Sequence, residues 1–267
     1  MMKRMLLPAL LLLGAWTFAA DGPAAELEKW SKAEHRSAEN IARNDARHPV
    51  ETLTFFGVKE DMRVVEINPG GGWYMDILAP FLRAKGTYVA AINDPMSSSV
   101  RSRMALDRFM KRVADKPEVY NRLEIATFAG NKLELGESGS ADMVLTFRNV
   151  HNWMGGGFVT DSFAAFYDVL KPGGVLGVVE HRGANGSEQD PKAGSGYVNQ
   201  EYLIKLAENA GFILVATSEV NANAKDDKNH DSGVWSLPPV SWKADENGGK
   251  YKSIGESDRA TLKFVKP

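Results

Sequence analysis

The amino-acid sequence predicts an α/β fold with a mostly parallel β-sheet and helices on both of its faces. Three observations lead to this fold class. Short apolar runs of strand length alternate with longer segments of helical periodicity, which is typical of strand–helix–strand units. A glycine-rich turn joins the first of these strands directly to a helix. The composition, with 43% hydrophobic and 25% charged residues in a chain of 267, is that of a globular protein long enough to bury a core.

Helices are predicted to begin the chain that follows an N-terminal signal. Residues 21–48 form an N-terminal helical segment in this prediction, because Leu27 and Trp30 recur among charged residues without an intervening glycine or proline. Pro49 ends the segment, since the residue before a proline avoids the helical region. The same proline suits the first position of the next helix, at residues 50–56.

Seven apolar runs have the length and composition of strands. They lie at residues 64–67, 88–92, 123–128, 141–147, 175–180, 212–216 and 261–265. Helical patterns are predicted between them through Ile77 and Leu82, and at residues 98–119, 161–170 and 200–210. The run at 171–174 (KPGG) is predicted to be a helix stop and a turn.

The first twenty residues have the pattern of a secretory signal peptide. Lys3 and Arg4 precede an apolar run over residues 5–20 that ends in small residues. Pro8 and Gly14 interrupt this run, which is shorter than the roughly 20 apolar residues of a membrane-spanning helix. We therefore expect export to the periplasm, with no stable membrane span once the signal is removed. An uncleaved N-terminal anchor is the alternative.

The composition also excludes several classes of function. The chain has no Cys, which excludes disulfides, thiolate nucleophiles and cysteine-bound metal centres. Lys and Arg number 32 against 34 Asp and Glu, giving a net charge of -2. This balance does not favour a nucleic-acid partner, so we expect a small-molecule substrate. The sequence carries no signal for a particular oligomeric state.

Residues 66–72 (EINPGGG) lie where a strand is predicted to end and a helix to begin. Glycines at such a position let the backbone approach a ligand closely, and the helix start offers unpaired N–H groups. In an open parallel sheet, the ligand crevice lies at the carboxyl ends of the strands. Glu66 stands at the end of its strand, where its carboxylate can accept hydrogen bonds. A tight turn without a ligand is the alternative interpretation.

This turn resembles the first motif of class I S-adenosylmethionine-dependent methyltransferases, in which an apolar strand is followed by an acid and alternating glycines. Glu66, Gly70 and Gly72 match that motif. Asn68 replaces its first glycine, and Asn tolerates the left-handed conformation better than most residues.

The resemblance extends over residues 49–267 through the order of the predicted elements and the turn before strand five. It implies a seven-stranded, mostly parallel, Rossmann-like methyltransferase sheet with a long insertion at about residues 221–258. Three further motifs resemble a group of exported, predicted methyltransferases: residues 146–153 (TFRNVHNW), 180–182 (EHR) and 255–259 (GESDR).

The resemblance implies S-adenosylmethionine as the cofactor and assigns roles to individual residues. Glu66 and the glycine turn would hold its methionine part. Asp94 is the acid nearest the end of strand two, where the family binds the ribose, although it stands one or two positions late. Residues 127–131 (TFAGN) offer no acid for the adenine. The predicted cofactor-binding residues are Glu66, Asn68, Gly70, Gly71, Gly72, Asp94, Arg148 and Asn149.

Candidate catalytic residues follow strands four and five. His151 comes shortly after strand four, and Glu180 and His181 end strand five, so a parallel sheet brings all three to one crevice. Histidine accepts a proton near neutral pH, as a general base must. We predict His151, His181 and Glu180 as catalytic residues. Arg148 and Arg182 are candidates to clamp an acidic substrate through bidentate hydrogen bonds.

Structural roles are the alternative for these residues. His151 can pack on Trp153, and Glu180 can form an ion pair with Arg182. The side chains of His151, Glu180 and His181 also suit several divalent ions. No helix-borne His pair or metal-loop spacing occurs in the sequence, so we expect no metal.

The long insertion has its own expectations. His230 is predicted to be a solvated loop residue. Trp235 is predicted to anchor the loop to the core, because large aromatic side chains mostly supply buried area. Asp258 and Arg259 are candidates to lock the insertion onto the sheet.

The sequence thus predicts methyl transfer from S-adenosylmethionine to an unidentified small-molecule acceptor. Such a reaction mainly requires alignment of a nucleophile with the methyl group. The alternative is an exported binding protein or a non-methylating enzyme that retains the fold, because a fold does not fix a function. A nicotinamide-dependent dehydrogenase is disfavoured, since the glycines do not fit G-x-G-x-x-G.

Overall fold

A computed structural model describes residues 22–130, 132–242 and 249–267, and the predicted signal at 1–20 lies outside them. Its strands are β1 (Arg63–Ile67), β2 (Thr87–Ile92), β3 (Glu124–Ala129), β4 (Lys132–Glu134), β5 (Ala141–Phe147), β6 (Leu170–His181), β7 (Ile213–Ser218) and β8 (Arg259–Val265). Within the described residues, these eight strands form one sheet in the order β4-β3-β2-β1-β5-β6-β8-β7. β4 and β8 run antiparallel to the other six strands.

Helices cover both faces of this sheet. They are α1 (Pro23–Ser31), α2 (Ala38–Ala42), α3 (Asn44–Arg47), α4 (Pro49–Phe56), α5 (Met75–Leu82), α6 (Val100–Asp115), α7 (Pro117–Tyr120), α8 (Val150–Gly156), α9 (Val159–Val169), α10 (Gln200–Asn209) and α11 (Lys250–Ile254). One apolar core joins α8, α9 and α10 to the sheet, and a second joins α1 and α4–α7. Val65 and Ile67 belong to the first core and Val64 to the second, as the alternation of a strand requires.

The sheet differs from the prediction in strand number and in one turn. It has eight strands and is mixed, because β4 turns back and pairs antiparallel with the end of β3. Residues 171–174, predicted to be a turn, belong to β6. The reason is backbone pairing with the end of the chain. The Gly173 N–H donates to the carbonyl of Lys266 at 2.8 Å, and the Lys266 N–H donates to that of Gly174 at 3.0 Å.

Two long predicted helices are interrupted. The N-terminal segment consists of α1, α2 and α3, and Ser37 caps α2 by accepting a hydrogen bond from the Asn40 N–H at 3.2 Å. The helix predicted at 98–119 ends at Asp115, and Pro117 begins the separate α7. Among the described residues, no helix combines the length and the apolar character needed to span a membrane.

The insertion between β7 and β8 packs onto the rest of the molecule around Asp226. This buried carboxylate accepts hydrogen bonds from the Tyr197 hydroxyl at 2.9 Å, from the Asp258 N–H at 2.8 Å, and from Nε2 of His230 at 2.8 Å. The prediction that His230 is solvated is therefore wrong, because Asp226 gives its ring a buried partner. Asp258 in turn accepts two hydrogen bonds from Arg182, at 2.8 and 3.0 Å.

Candidate functional site

The carboxyl ends of four neighbouring parallel strands meet at one edge of the sheet. β1 lies between β2 and β5, and β6 follows β5. The strands end next to Asn68, Asn93 and Arg148, and β6 ends in His181. Ligands of open α/β sheets bind at this edge. The structure thus brings the predicted glycine turn and the predicted catalytic residues to the same side of the sheet.

Residues 68–72, called the turn below, have the conformation that the motif requires. Asn68, Gly70 and Gly72 all lie in the left-handed region, with φ of 48°, 57° and 78°. Asn68 thereby fills the place of the missing glycine. Asn149 holds the start of the turn, because its side-chain amide donates to the carbonyl of Ile67 at 2.9 Å. The space around Gly70 and Gly71 is open enough to admit a ligand against the backbone.

One side of the turn borders a cavity of about 480 Å³, called the first cavity. Asn68, Pro69 and Gly70 form part of its wall, together with Asn149 beside them. The remaining wall combines apolar side chains with polar groups. It includes Asn93, Arg101, Leu106, Phe109, Trp153 and Phe158. Polar and apolar groups contribute about equally to the wall, and a concave site with both kinds of group can hold a cofactor.

Five predicted cofactor residues lie outside the walls of this cavity: Glu66, Gly71, Gly72, Asp94 and Arg148. The Asp94 carboxylate accepts a hydrogen bond from the Met96 N–H at 3.0 Å, and Asn93 lines the cavity in its place. Glu66 is buried and accepts a hydrogen bond from the Tyr88 hydroxyl at 2.7 Å. Burial raises the pKa of Glu66 to about 8.

The other side of the turn borders a cavity of about 260 Å³, called the second cavity. Asn68, Pro69, Gly70 and Asn149 line both cavities, so the turn separates two adjoining spaces. The second cavity differs in its charge. Its wall includes the arginines Arg43, Arg47 and Arg148 beside Trp73, Phe147 and Pro239.

The positive charges of this wall are only partly neutralised. Within the described residues, the single carboxylate paired with them is Glu256, whose oxygens lie 2.7 Å from Arg43 Nε and 3.0 Å from Arg47 Nε. Arg259 also contacts it, at 3.4 Å. Burial opposes ionisation of Glu256, but the charges of Arg47, Arg259 and Arg43 lower its pKa to about 2. Burial and the charge of Arg259 lower the pKa of Arg148 to about 10.

His151 and Glu180 form a buried pair with a defined tautomer. Nδ1 of His151 lies 3.0 Å from Oε1 of Glu180. The Glu180 carboxylate also accepts hydrogen bonds from the backbone N–H of Val150 at 2.6 Å and of His181 at 2.9 Å. Since this carboxylate accepts from backbone N–H groups as well, Nδ1 of His151 is the donor to it, which makes Nε2 the acceptor in the neutral ring. The pair has the arrangement of an oriented general base.

His181 and Arg182 have different surroundings. His181 lies with its ring centroid 5.4 Å from that of His151, and its Nδ1 lies 2.5 Å from the Ser257 hydroxyl oxygen. Burial and nearby positive charge hold the pKa of His181 well below its usual range, so its ring is neutral. Arg182 binds Asp258 and Glu219, which assigns it a structural role and removes it as a substrate clamp.

The two histidines and Glu180 also have the composition of a metal site. One donor atom of each lies within 4.8 Å of the others. Two features favour proton transfer over metal binding. Both oxygens of Glu180 already accept hydrogen bonds, and the positive charges of Arg148 and Arg259 next to His181 oppose a further cation.

The Trp235 side chain packs on Trp242 and lies close to His151 of the His151–Glu180 pair. Its ring centroid lies 6.0 Å from that of His151 and 5.8 Å from that of Trp242, and its side chain is partly exposed. The backbone around it is held from both sides. Val234 N–H donates to the carbonyl of Ser195 at 2.9 Å. Trp235 therefore lies beside His151.

Comparison with known proteins places this geometry in a fold family. A SAM-dependent methyltransferase from Aquifex aeolicus superimposes with a TM-score of 0.56 at 15% identity, covering 91% of this chain and 98% of that one. This chain has the fold of a class I S-adenosylmethionine-dependent methyltransferase. No family model and no curated protein sequence matches it.

Two further neighbours show the range of this methyltransferase fold. The trans-methyltransferase CalH in complex with SAH has a TM-score of 0.50 and 18% identity, covering 83% of this chain and 56% of that one. The [4+2]-cyclase SpnF has a TM-score of 0.53 and 16% identity, with coverage of 88% and 86%. At 15–18% identity, these likenesses show the fold.

Sequence reasoning missed several residues of the site. Arg43 and Arg47 lie in the N-terminal helical segment, four residues apart, and reach the second cavity with Arg148. Their spacing could have shown that the two side chains lie on the same side of a helix. Only the tertiary packing of that segment against the turn shows that they reach a cavity. Asn93 and Phe109 of the first cavity carried no signal of their own.

Proposed function

We propose that this chain transfers a methyl group from S-adenosylmethionine to a small-molecule acceptor. The observation that carries the proposal is the left-handed turn of residues 68–72, which opens onto the first cavity at the carboxyl end of β1. The residues present fit the cofactor: the backbone at Gly70 leaves room for close approach, and apolar side chains can cover a purine. When bound, S-adenosylmethionine supplies a methyl group activated by a sulfonium.

The side chains of the first cavity would hold the cofactor by contact and by hydrogen bonding. The turn offers backbone groups to the methionine part, and Asn93 offers an amide in the place where an acid was expected. Leu106, Phe109 and Phe158 exclude water from the cavity. Glu66, two residues before the turn, accepts a hydrogen bond from Tyr88 of the neighbouring strand β2.

The proposed role of His151 is to remove a proton from the acceptor atom. Its Nε2 carries the lone pair, because Glu180 orients the ring through Nδ1. His151 itself lines neither cavity, but it stands two residues after Asn149, which lines both. General-base assistance contributes on the order of 10²–10⁴-fold to a rate.

Calorimetric titration of the purified protein with S-adenosylmethionine and S-adenosylhomocysteine tests the proposal. We expect micromolar binding, on the order of -8 kcal/mol. Gly70→Leu should abolish it, because the side chain would occupy the ligand's path. Gly186→Leu is the matched control, since Gly186 is also left-handed, at φ 72°, but lies exposed and away from the cavities. Absence of binding by the folded wild type would instead favour a binding protein or a non-methylating enzyme, such as the cyclase neighbour.

Export of the chain is part of the same proposal. The support is the pattern of residues 1–20, in which a basic start precedes a short apolar run. Expression of the full chain in a bacterium, followed by fractionation and mass spectrometry of the N-terminus, tests it. We expect a processed periplasmic protein, and a full-length cytoplasmic product would contradict export.

A further inference from the structure

The second cavity holds more positive charge than its surroundings neutralise. Arg43, Arg47 and Arg259 share the one carboxylate of Glu256. Arg148 lines the same cavity and, within the described residues, its guanidinium takes part in no hydrogen bond or ion pair. Four guanidinium groups therefore face one carboxylate. Charged groups this close together and partly buried are stabilised by opposite charge, so this excess of positive charge favours binding of an anion.

Arg148 is held in place by its backbone as well as by packing. It lies in the left-handed region with φ 61°, which is uncommon for a residue with a long side chain. Its N–H donates to the carbonyl of Val179 at 2.7 Å, so the strand end fixes this conformation. Strained residues at strand ends often carry a functional side chain. The strain here places a guanidinium beside the turn.

Trp73 and Phe147 add planar apolar area to this wall, beside the polar side chains of Asn40, Asn68 and Asn149. Tyr74 stacks on Phe147 with ring centroids 3.6 Å apart, and the Arg47 guanidinium lies 4.7 Å above the ring of Trp73. Phe147 and Trp73 both line the cavity. Its occupant should therefore combine an anionic group with a flat apolar body. A volume of about 260 Å³ limits it to a small molecule.

The second cavity adjoins the first. The two share Asn68, Pro69, Gly70 and Asn149, so occupants of both would meet across the turn. We propose that the second cavity binds the acceptor as a small organic carboxylate, with Arg148 and Arg43 on the carboxylate and Trp73 and Phe147 along its body. The inference rests on the proposed function only in naming this ligand the acceptor. The anion site itself stands on the arginines.

Titration of the purified protein with benzoate, benzamide and inorganic phosphate tests the site. Benzoate presents a carboxylate on a flat ring, benzamide is its neutral counterpart, and phosphate is an anion without an apolar body. We expect benzoate to bind at least about tenfold more tightly than either of the others, and its affinity to fall with added salt. Equal affinity for benzoate and benzamide would overturn the proposal, and tighter binding of phosphate would overturn the choice of a carboxylate.

Arginine variants test where on the protein benzoate binds. Arg148→Gln should weaken benzoate binding about ten- to a hundredfold, as the loss of a charged hydrogen-bond donor predicts, and Arg148→Lys should recover part of it. Arg108→Gln removes the same charge from the exposed surface of α6 and should change nothing. Unchanged benzoate affinity in Arg148→Gln would overturn the assignment, and the comparison of benzoate with benzamide on the wild type decides the question if that variant does not fold.

Titration with S-adenosylhomocysteine separates this inference from the proposed function. If the wild type binds S-adenosylhomocysteine but not benzoate, the carboxylate site is wrong and the methyltransferase proposal stands. If it binds benzoate but not S-adenosylhomocysteine, the anion site stands and its ligand is not a methyl acceptor.

Discussion

The two cavities share one wall and differ in almost every other respect. The first is larger, is covered by apolar side chains of α6 and α8, and has Arg101 as its one cationic lining residue among the described residues. The second is smaller and has three arginines in its wall. The turn between them provides mainly backbone to both sides. In the proposed reaction, one loop would serve two ligands, with the larger space on one side and the positive charge on the other.

His151→Ala should have the largest effect, and it tests the proposed base next to the wall that the two cavities share. Loss of the base should reduce turnover about 10²–10³-fold, while the affinity for S-adenosylhomocysteine stays unchanged. The measurement is S-adenosylhomocysteine production with the best substrate from a panel of aromatic carboxylates. An unchanged rate would return His151 to a structural role.

Glu256→Gln should destabilise the second cavity's wall and leave the first unaffected. The folded pKa of Glu256 is about 2, below its ordinary value of 4.5, so the carboxylate stabilises the fold above pH 4.5. That stabilisation is lost as the pH falls from 4.5 toward 2. Urea unfolding should show a loss of about 3 kcal/mol at pH 7, and the difference from the wild type should shrink toward pH 2.

Glu219→Gln is the matched control for that experiment. Glu219 pairs with Arg182, but it is two-thirds exposed, and exposed ion pairs contribute only about 0–1 kcal/mol. A loss in Glu219→Gln as large as that in Glu256→Gln would contradict the special role of the buried carboxylate.

Asn68→Gly should have the smallest effect. It tests whether the wall shared by the two cavities needs only the left-handed backbone at position 68. Asn68 already adopts φ 48°, so a glycine can take the same conformation. Stability should change by less than about 1 kcal/mol, and cofactor affinity should not change. Asn68→Val, which disfavours the left-handed region, should weaken S-adenosylhomocysteine binding clearly. Tight binding by the valine variant would show that the turn's conformation is not required.

The fold was largely predictable because its signals are local. The alternation of apolar strands with helices and the spacing of Gly70 and Gly72 predicted the sheet and the turn. The extra strand β4 was missed because three residues carry too little pattern, and the turn at 171–174 was wrong because pairing with Lys266 is remote in sequence.

The site was predictable only in part, because some of its residues come together only through tertiary packing. His151, Glu180 and Asn149 follow strand ends and were found by topology. Arg43 and Arg47 come from a segment that precedes the sheet, and only packing brings them to the turn. Arg182 looked equivalent to Arg148 in the sequence, but its guanidinium forms ion pairs with Asp258 and Glu219. The partners of a charged side chain are a tertiary property.

A paired titration tests the central claim that the turn separates a cofactor cavity from an acceptor cavity. Ala105→Trp fills the first cavity from α6, and Arg148→Gln removes a charge from the second. Each variant, with the wild type, is titrated with S-adenosylhomocysteine and with benzoate. We predict that Ala105→Trp loses S-adenosylhomocysteine but keeps benzoate, and that Arg148→Gln does the reverse. The claim would be contradicted if either folded variant lost both ligands. It would also be contradicted if both variants still bound both ligands.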